Sequence, residues 1–243
     1  RNLEKSVEYF LISAKLGFAA GQCNLGVAFL TGKGISKDYE KSVLWLEKAV
    51  EQDQASAFGL LGKCYREGKG VAKNLIKGFE LTKIAASQGC VLFQYELGNC
   101  YYNGCGTKQN YKQAVYWYQK SANQGYANAQ FSLGSCYANG TGVRQNYKEA
   151  VYWYRKSANQ GYAKAQNNLG NCYKYGNGCE KSLELAVDLF LKSSEQGNIK
   201  AFCNLAICYE EGTGVEKNFE TAIAYYRKAA NQGDKFAEEK LMK

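Results

Sequence analysis

The stretch GSCYANGTG, residues 134–142, gathers groups that could do chemistry: the thiol of Cys136, a neighbouring phenol at Tyr137, and three glycines. A thiol activated by a local base is a nucleophile, and a glycine-rich turn can cradle a phosphate on its backbone N–H groups. Neither chemistry finds its partners. The 243-residue chain contains no histidine, which removes the commonest general base, the commonest metal ligand and every Cys-His or Ser-His pair. No strand signal precedes the glycines and no Lys-Ser/Thr follows them, as a phosphate loop requires.

The stretch is also not unique. Its first glycine recurs every 36 residues, as Gly26, Gly62, Gly98, Gly134 and Gly170, with Ala206 in the sixth place. The G-x-G pair recurs as Gly32/Gly34, Gly68/Gly70, Gly104/Gly106, Gly140/Gly142, Gly176/Gly178 and Gly212/Gly214. A further glycine follows at Gly17, Gly89, Gly125, Gly161, Gly197 and Gly233, where Asp53 is the one departure. The chain contains no proline, in keeping with helices joined by glycine turns.

Each unit predicts two short helices. Helix A of the fourth runs over about 127–139, with Ala129, Leu133, Cys136 and Tyr137 on one apolar face. Helix B follows Asn146, whose counterparts Asn2, Asp38, Asn74, Asn110, Ser182 and Asn218 are all good N-caps, and Glu149 is placed to complete a capping box. Tyr147, Ala150, Val151, Tyr154 and Ala158 form its predicted buried face, with Gly161 as a left-handed terminator. Gly134 is placed to let a large side chain such as Tyr154 or Tyr118 pack on bare backbone. One hairpin of this size cannot bury its apolar face, so stacking is required and the expected fold is an all-α superhelical solenoid.

The combination over residues 127–161, A-x-A-Q-x-x-L-G-x-x-Y-x-x-G-x-G-V-x-x-N-x-x-x-A-x-x-W-Y-x-K-x-A-x-x-G, resembles the Sel-1-like repeat, a relative of the tetratricopeptide repeat. The resemblance is strongest in the third and fourth repeats and weakest in the second, where Leu81 and Thr82 replace the W-Y pair. It implies one solenoid domain over 1–243: a partial repeat at 1–17, full repeats at 18–53, 54–89, 90–125, 126–161, 162–197 and 198–233, and a last helix in 234–243. The chain starts at Arg1 without a methionine, and the partial repeats suggest an array cut from a longer one.

Five of the ten cysteines, Cys64, Cys100, Cys136, Cys172 and Cys208, share one core position of successive A helices and read as small buried hydrophobes. Packed helices lie about 8–10 Å apart, too far for a bridge between equivalent cysteines. Cys23, Cys90, Cys105, Cys179 and Cys203 fall outside the series; Cys100 with Cys105, or Cys172 with Cys179, could meet across the A-to-B turn. Cysteine-rich secreted members of the resembled family carry a bridge between cysteines seven apart around the B-to-A turn, a regular pair this sequence lacks. A reducing compartment, cytoplasmic or a host cytosol, is therefore favoured, and neither metal nor cofactor is expected.

The net charge of +9 arises largely from periodic lysines, such as Lys48, Lys120, Lys156, Lys192 and Lys228 at B-helix ends, where a cation complements the helix dipole. Nucleic acid is accordingly not the expected partner, and no apolar run approaches the length of a membrane span.

The third and fourth repeats differ at six positions over 110–137 and 146–173: Gln113/Glu149 and Gln119/Arg155 on helix B, and Asn128/Lys164, Phe131/Asn167, Ser132/Asn168 and Ser135/Asn171 on helix A. The last four are spaced i, i+3, i+4, i+7 and form one stripe. Lys112/Lys148, Gln124/Gln160 and Lys120/Lys156, also expected at the surface, are unchanged, which points to specialisation of the stripe. Tyr95, Asn99, Asn103, Asn139, Tyr175, Lys200 and Asn204 extend it.

In the resembled family A helices line the concave surface, so the stripe is expected to face a groove. Asn99, Asn168 and Asn171 are candidate clamps for a peptide backbone, Tyr95 and Phe131 apolar anchors, and Lys164 and Lys200 attractors of acidic groups. The expected function is a non-enzymatic, monomeric scaffold or adaptor that binds a peptide or protein partner, with the resemblance adding bacterial host interaction or signalling. The alternative is a regulatory or positioning module of a larger protein whose enzymatic domain lies elsewhere. Altering Asn168, Asn171 and Phe131 together is expected to abolish capture without loss of thermal stability.

Overall fold

The structure, a computed structural model, describes residues 2–242; Arg1 and Lys243, the outer ends of the two partial repeats, lie outside the described residues. The described residues form helices and connecting turns, with no strand. Two compact units divide the chain, residues 1–124 and 125–243. The first holds α1 (Leu3–Lys15), α2 (Ala19–Thr31), α3 (Tyr39–Val50), α4 (Ala55–Glu67), α5 (Leu75–Ser87), α6 (Val91–Asn103) and α7 (Tyr111–Asn123). The second holds α8 (Ala127–Asn139), α9 (Tyr147–Asn159), α10 (Ala163–Tyr175), α11 (Leu183–Ser194), α12 (Ile199–Glu211), α13 (Phe219–Ala230) and α14 (Lys235–Leu241). From α2 onward, even-numbered helices are A and odd-numbered helices B, so each unit is a run of helical hairpins.

The ends of these helices follow from their residues. All seven expected N-caps accept a first-turn backbone N–H; Asn146 Oδ1 takes those of Lys148 at 3.0 Å and Glu149 at 3.2 Å. The capping box is a correction: the Asn146 N–H already donates to the Tyr137 carbonyl at 2.9 Å, so Glu149 has nothing there to accept. Each complete A helix ends on a left-handed glycine, as Gly140 does at φ 69°. Asp53 adopts the same region at φ 58°, and its carboxylate accepts a bond from Gln88 at 2.9 Å.

Packing within a hairpin turns on the mid-helix glycine. A Cβ at Gly134 would sit 2.8 Å from the Tyr154 ring, and one at Gly170 would sit 2.6 Å from the Phe190 ring. The cost of glycine in a helix, about 1 kcal/mol, is thus offset by burying an aromatic ring against bare backbone. In the second repeat, where Thr82 stands in the tyrosine position, Arg66 fills the gap: its guanidinium donates to the Thr82 hydroxyl and pairs with Glu96 at 3.1 Å. Tyr147 is a second correction. It opens α9 and stays exposed, while Val151, Tyr154 and Ala158 lie in the core as expected.

Repeats are joined by a glutamine pair at the B-to-A turn. Gln160 Nε2 donates to the buried Gln130 at 2.8 Å, and Gln196 to Gln166 at 2.9 Å; in the first unit Gln52 and Gln124 do the same to Gln22 and Gln94. The buried serines of the B helices reach the same junction, Ser157 Oγ donating to the Ala127 carbonyl and Ser193 Oγ to that of Ala163.

Candidate functional site

The expected stripe lies on the A helices, and the structure sorts its residues into free and engaged groups. In the first unit, Tyr95 is half-buried with its ring 5.8 Å from that of Tyr118. Tyr118 donates its hydroxyl to Asn99 Oδ1 at 2.8 Å, and the exposed Asn103 folds back on the Asn99 carbonyl at 3.0 Å. Asn99 therefore offers a partner its amide N–H groups and one remaining lone pair of Oδ1.

In the second unit the stripe is bound into one proton-consistent chain. Asn204 Nδ2 donates to Asn167 Oδ1 at 2.9 Å, Asn167 to Asn168 at 3.3 Å, and Asn168 to the Tyr154 hydroxyl at 3.3 Å. Tyr154 donates to Ser135 at 3.2 Å, and Ser135 to the Phe131 carbonyl at 3.0 Å. Burial raises the Tyr154 phenol above its ordinary range, against the lowering effect of its bonds to Ser135 and Asn168, so the hydroxyl stays protonated and able to donate.

Asn167, expected at the surface, is only 2 % exposed and is a packing residue of this network. Phe131 is half-buried, its ring packing 5.9 Å from that of Tyr154 and 5.3 Å from that of Tyr162. Removing Phe131 and Asn168 would therefore lower stability, contrary to the expectation from sequence. Asn128 donates to the Tyr126 hydroxyl at 3.3 Å, and Asn139 and Tyr175 are exposed, the latter with Lys174 5.7 Å from its ring centre.

Other stripe side chains retain free polar groups. Lys164 and Lys200 are exposed and enter no ion pair among the described residues, and Ser132 is half-buried without a side-chain hydrogen bond. Asn171 is free for a visible reason. Its counterparts Asn99 and Ser135 are bonded to Tyr118 and Tyr154, but the residue in that tyrosine position is Phe190, which has no hydroxyl.

Five of these residues come together. Phe131, Lys164, Asn167, Asn168 and Lys200 line a pocket of about 650 Å³, together with Ala163, Gln196, Gly197, Asn198 and Ile199. The last five belong to two helix starts and the α11–α12 turn, and sequence reasoning missed them. Asn198 carried the one available signal: it stands where the two preceding repeats have Tyr126 and Tyr162. Tyr162 fills its position against Phe131, whereas the smaller Asn198 turns inward to the Ala163 carbonyl at 3.3 Å and Ser193 Oγ at 2.9 Å and leaves the space open.

The invariance of other surface positions also has a structural cause. Gln160 is held by Gln130 and the Gly125 carbonyl, and Lys156 lies 4.7 Å and 5.2 Å from the Tyr152 and Trp153 ring centres. Of the comparison made from sequence, only Lys112/Lys148 remains an unengaged surface pair. No nucleophile is assembled at Cys136, whose thiol burial pushes up to about 11. The five serial cysteines are all buried, and all ten are free thiols.

The Sel1 repeat model matches residues 1–18, 19–54, 60–90, 91–126, 127–162, 163–198 and 200–234. The chain belongs to the Sel1 repeat family. Its fold is that of a protective antigen present in uropathogenic Escherichia coli strains, at TM-score 0.89 and 33% identity over 98% of this chain. The chain spans 51% of that antigen's length. A Sel1 repeat protein from Oxalobacter formigenes matches at TM-score 0.82 and 30% identity, over 93% of this chain and 91% of its own. An immunity protein from Pseudomonas aeruginosa, Pa5087, shares the fold at 21% identity and TM-score 0.51, over 88% of this chain and 81% of its own. No curated protein matches the sequence. Sel1 repeats commonly mediate protein–protein interactions and are generally non-enzymatic scaffolds. No helix among the described residues is long and apolar enough to cross a membrane.

Proposed function

We propose that this Sel1 repeat chain is a non-enzymatic scaffold that holds an extended segment of a protein partner against its A helices, with the main contact on α8, α10 and α12. The observation that carries this reading is the pocket shared by Phe131, Lys164, Asn168 and Lys200, which lies on the stripe where two otherwise matching repeats diverge. Its size falls in the range of about 300–1,000 Å³ found for built ligand sites. Asn171, with donor and acceptor both free, suits a peptide N–H and C=O, which any partner sequence supplies.

Because Lys164, Asn171 and Lys200 support no other side chain, replacing all three with alanine separates binding from folding. The triple variant is expected to lose capture of partner proteins or peptides by about tenfold or more, as measured by titration calorimetry or quantitative pull-down. Its melting temperature should stay within a degree or two of the parent. Undiminished capture would remove this surface from consideration.

A further inference from the structure

The pocket has a polarity of its own. Its lining combines apolar Phe131, Ala163 and Ile199 with the amides of Asn167, Asn168, Gln196 and Asn198; its two cationic side chains, Lys164 and Lys200, stand unpaired, with no acidic side chain among the lining residues. The lysines are also particular to this place. The same helical position holds Ala20, Ser56, Leu92 and Asn128 in earlier A helices and Phe236 after them, so lysine occurs there only in the two helices that share the pocket.

Lysines that end the B helices have a use in the fold: Lys120 and Lys156 cover aromatic rings, and Lys192 pairs with Asp188 at 2.7 Å. Lys164 and Lys200 have none. Because both cations border one pocket, an anion seated there is attracted by both.

From this charge arrangement we infer that the pocket selects a linear peptide in which an apolar side chain, seated on Phe131 and Ile199, lies next to an acidic residue whose carboxylate is shared by Lys164 and Lys200. This rests on the scaffold reading above and adds the partner's chemistry to it. The acidic residue supplies selectivity and the apolar one most of the contact energy, because exposed ion pairs are individually weak while buried apolar surface is not.

The test uses the whole chain and a phage-displayed library of random dodecapeptides. Selected peptides are expected to pair Asp or Glu with a neighbouring aliphatic or aromatic residue. Changing that acid to its amide should weaken binding about five- to tenfold, as measured by fluorescence anisotropy. Lys164→Glu with Lys200→Glu should reverse the selection toward Lys- or Arg-bearing peptides, a gain that a misfolded variant cannot show. Peptides that depend on Asn171 but are indifferent to the acid and to both lysines would overturn the inference and leave the scaffold reading standing. Peptides that bind without depending on Asn171 or either lysine, or a library that yields no binder, would overturn both.

Discussion

Gly178→Ala is expected to cost about 3 kcal/mol or more of stability. Two terms combine. Gly178 lies at φ 76°, where an L side chain costs about 1–2 kcal/mol. A Cβ there would also stand 2.2 Å from the Tyr147 carbonyl oxygen and 2.3 Å from its carbon, so the obstruction is backbone and cannot swing aside. Gly161 isolates the first term. It has φ 83°, but a Cβ added there would meet nothing within 4 Å, so Gly161→Ala should lose only about 1 kcal/mol. Urea midpoints with hydrogen exchange on α10 and α11 measure both, and equal losses would disprove the contact argument.

Alkaline instability is the second large effect. Burial pushes the thiols of Cys23, Cys100, Cys136 and Cys172 to about 11 and that of Cys203 to about 12, from an ordinary 9.0. Unfolded thiols begin to ionise near pH 9 while the folded ones hold their protons. The unfolded state therefore binds fewer protons across this window, and stability falls as pH rises. The contribution is complete below pH 9 and gone by about pH 11, at on the order of 2 kcal/mol for each well-buried thiol. The melting temperature should drop steeply between pH 9 and pH 11. Cys136→Ala and Cys172→Ala should flatten that limb even though they cost some stability at pH 7, which distinguishes thiol ionisation from loss of lysine charge. A flat profile from pH 8.5 to 10.5 would refute it.

The parts of this molecule legible from its sequence are those decided locally. The N-caps and the left-handed terminators Gly140 and Gly161 depend on hydrogen bonds or backbone angles within a few residues, and each is readable from one residue type at one position. The role of Gly134 is readable because both partners lie in one repeat. Gly178 has the spacing of a turn residue, yet its decisive contact is with Tyr147 in the preceding repeat, which spacing within one repeat does not reveal. The capping box at Glu149 does not form because a more distant carbonyl, that of Tyr137, already satisfies the Asn146 N–H.

On the candidate site, helical spacing puts Phe131, Lys164, Asn168 and Lys200 on one stripe, and the four line one pocket. Spacing does not tell a free asparagine from an engaged one. Asn99 is engaged while its counterpart Asn171 stays free, and the difference lies in a tyrosine hydroxyl present at Tyr118 and absent at Phe190. That distinction belongs to the neighbouring helix rather than to the stripe.

The central claim, that a partner segment lies along α8, α10 and α12, is tested most directly by a photo-crosslinking amino acid placed at Asn171 and, separately, at Tyr152 on the exposed face of α9. Irradiation with partner proteins or library-selected peptides should yield a crosslinked product from position 171 and little or none from position 152. Crosslinks from 152 with none from 171 would show that partners bind a different face and would contradict the account.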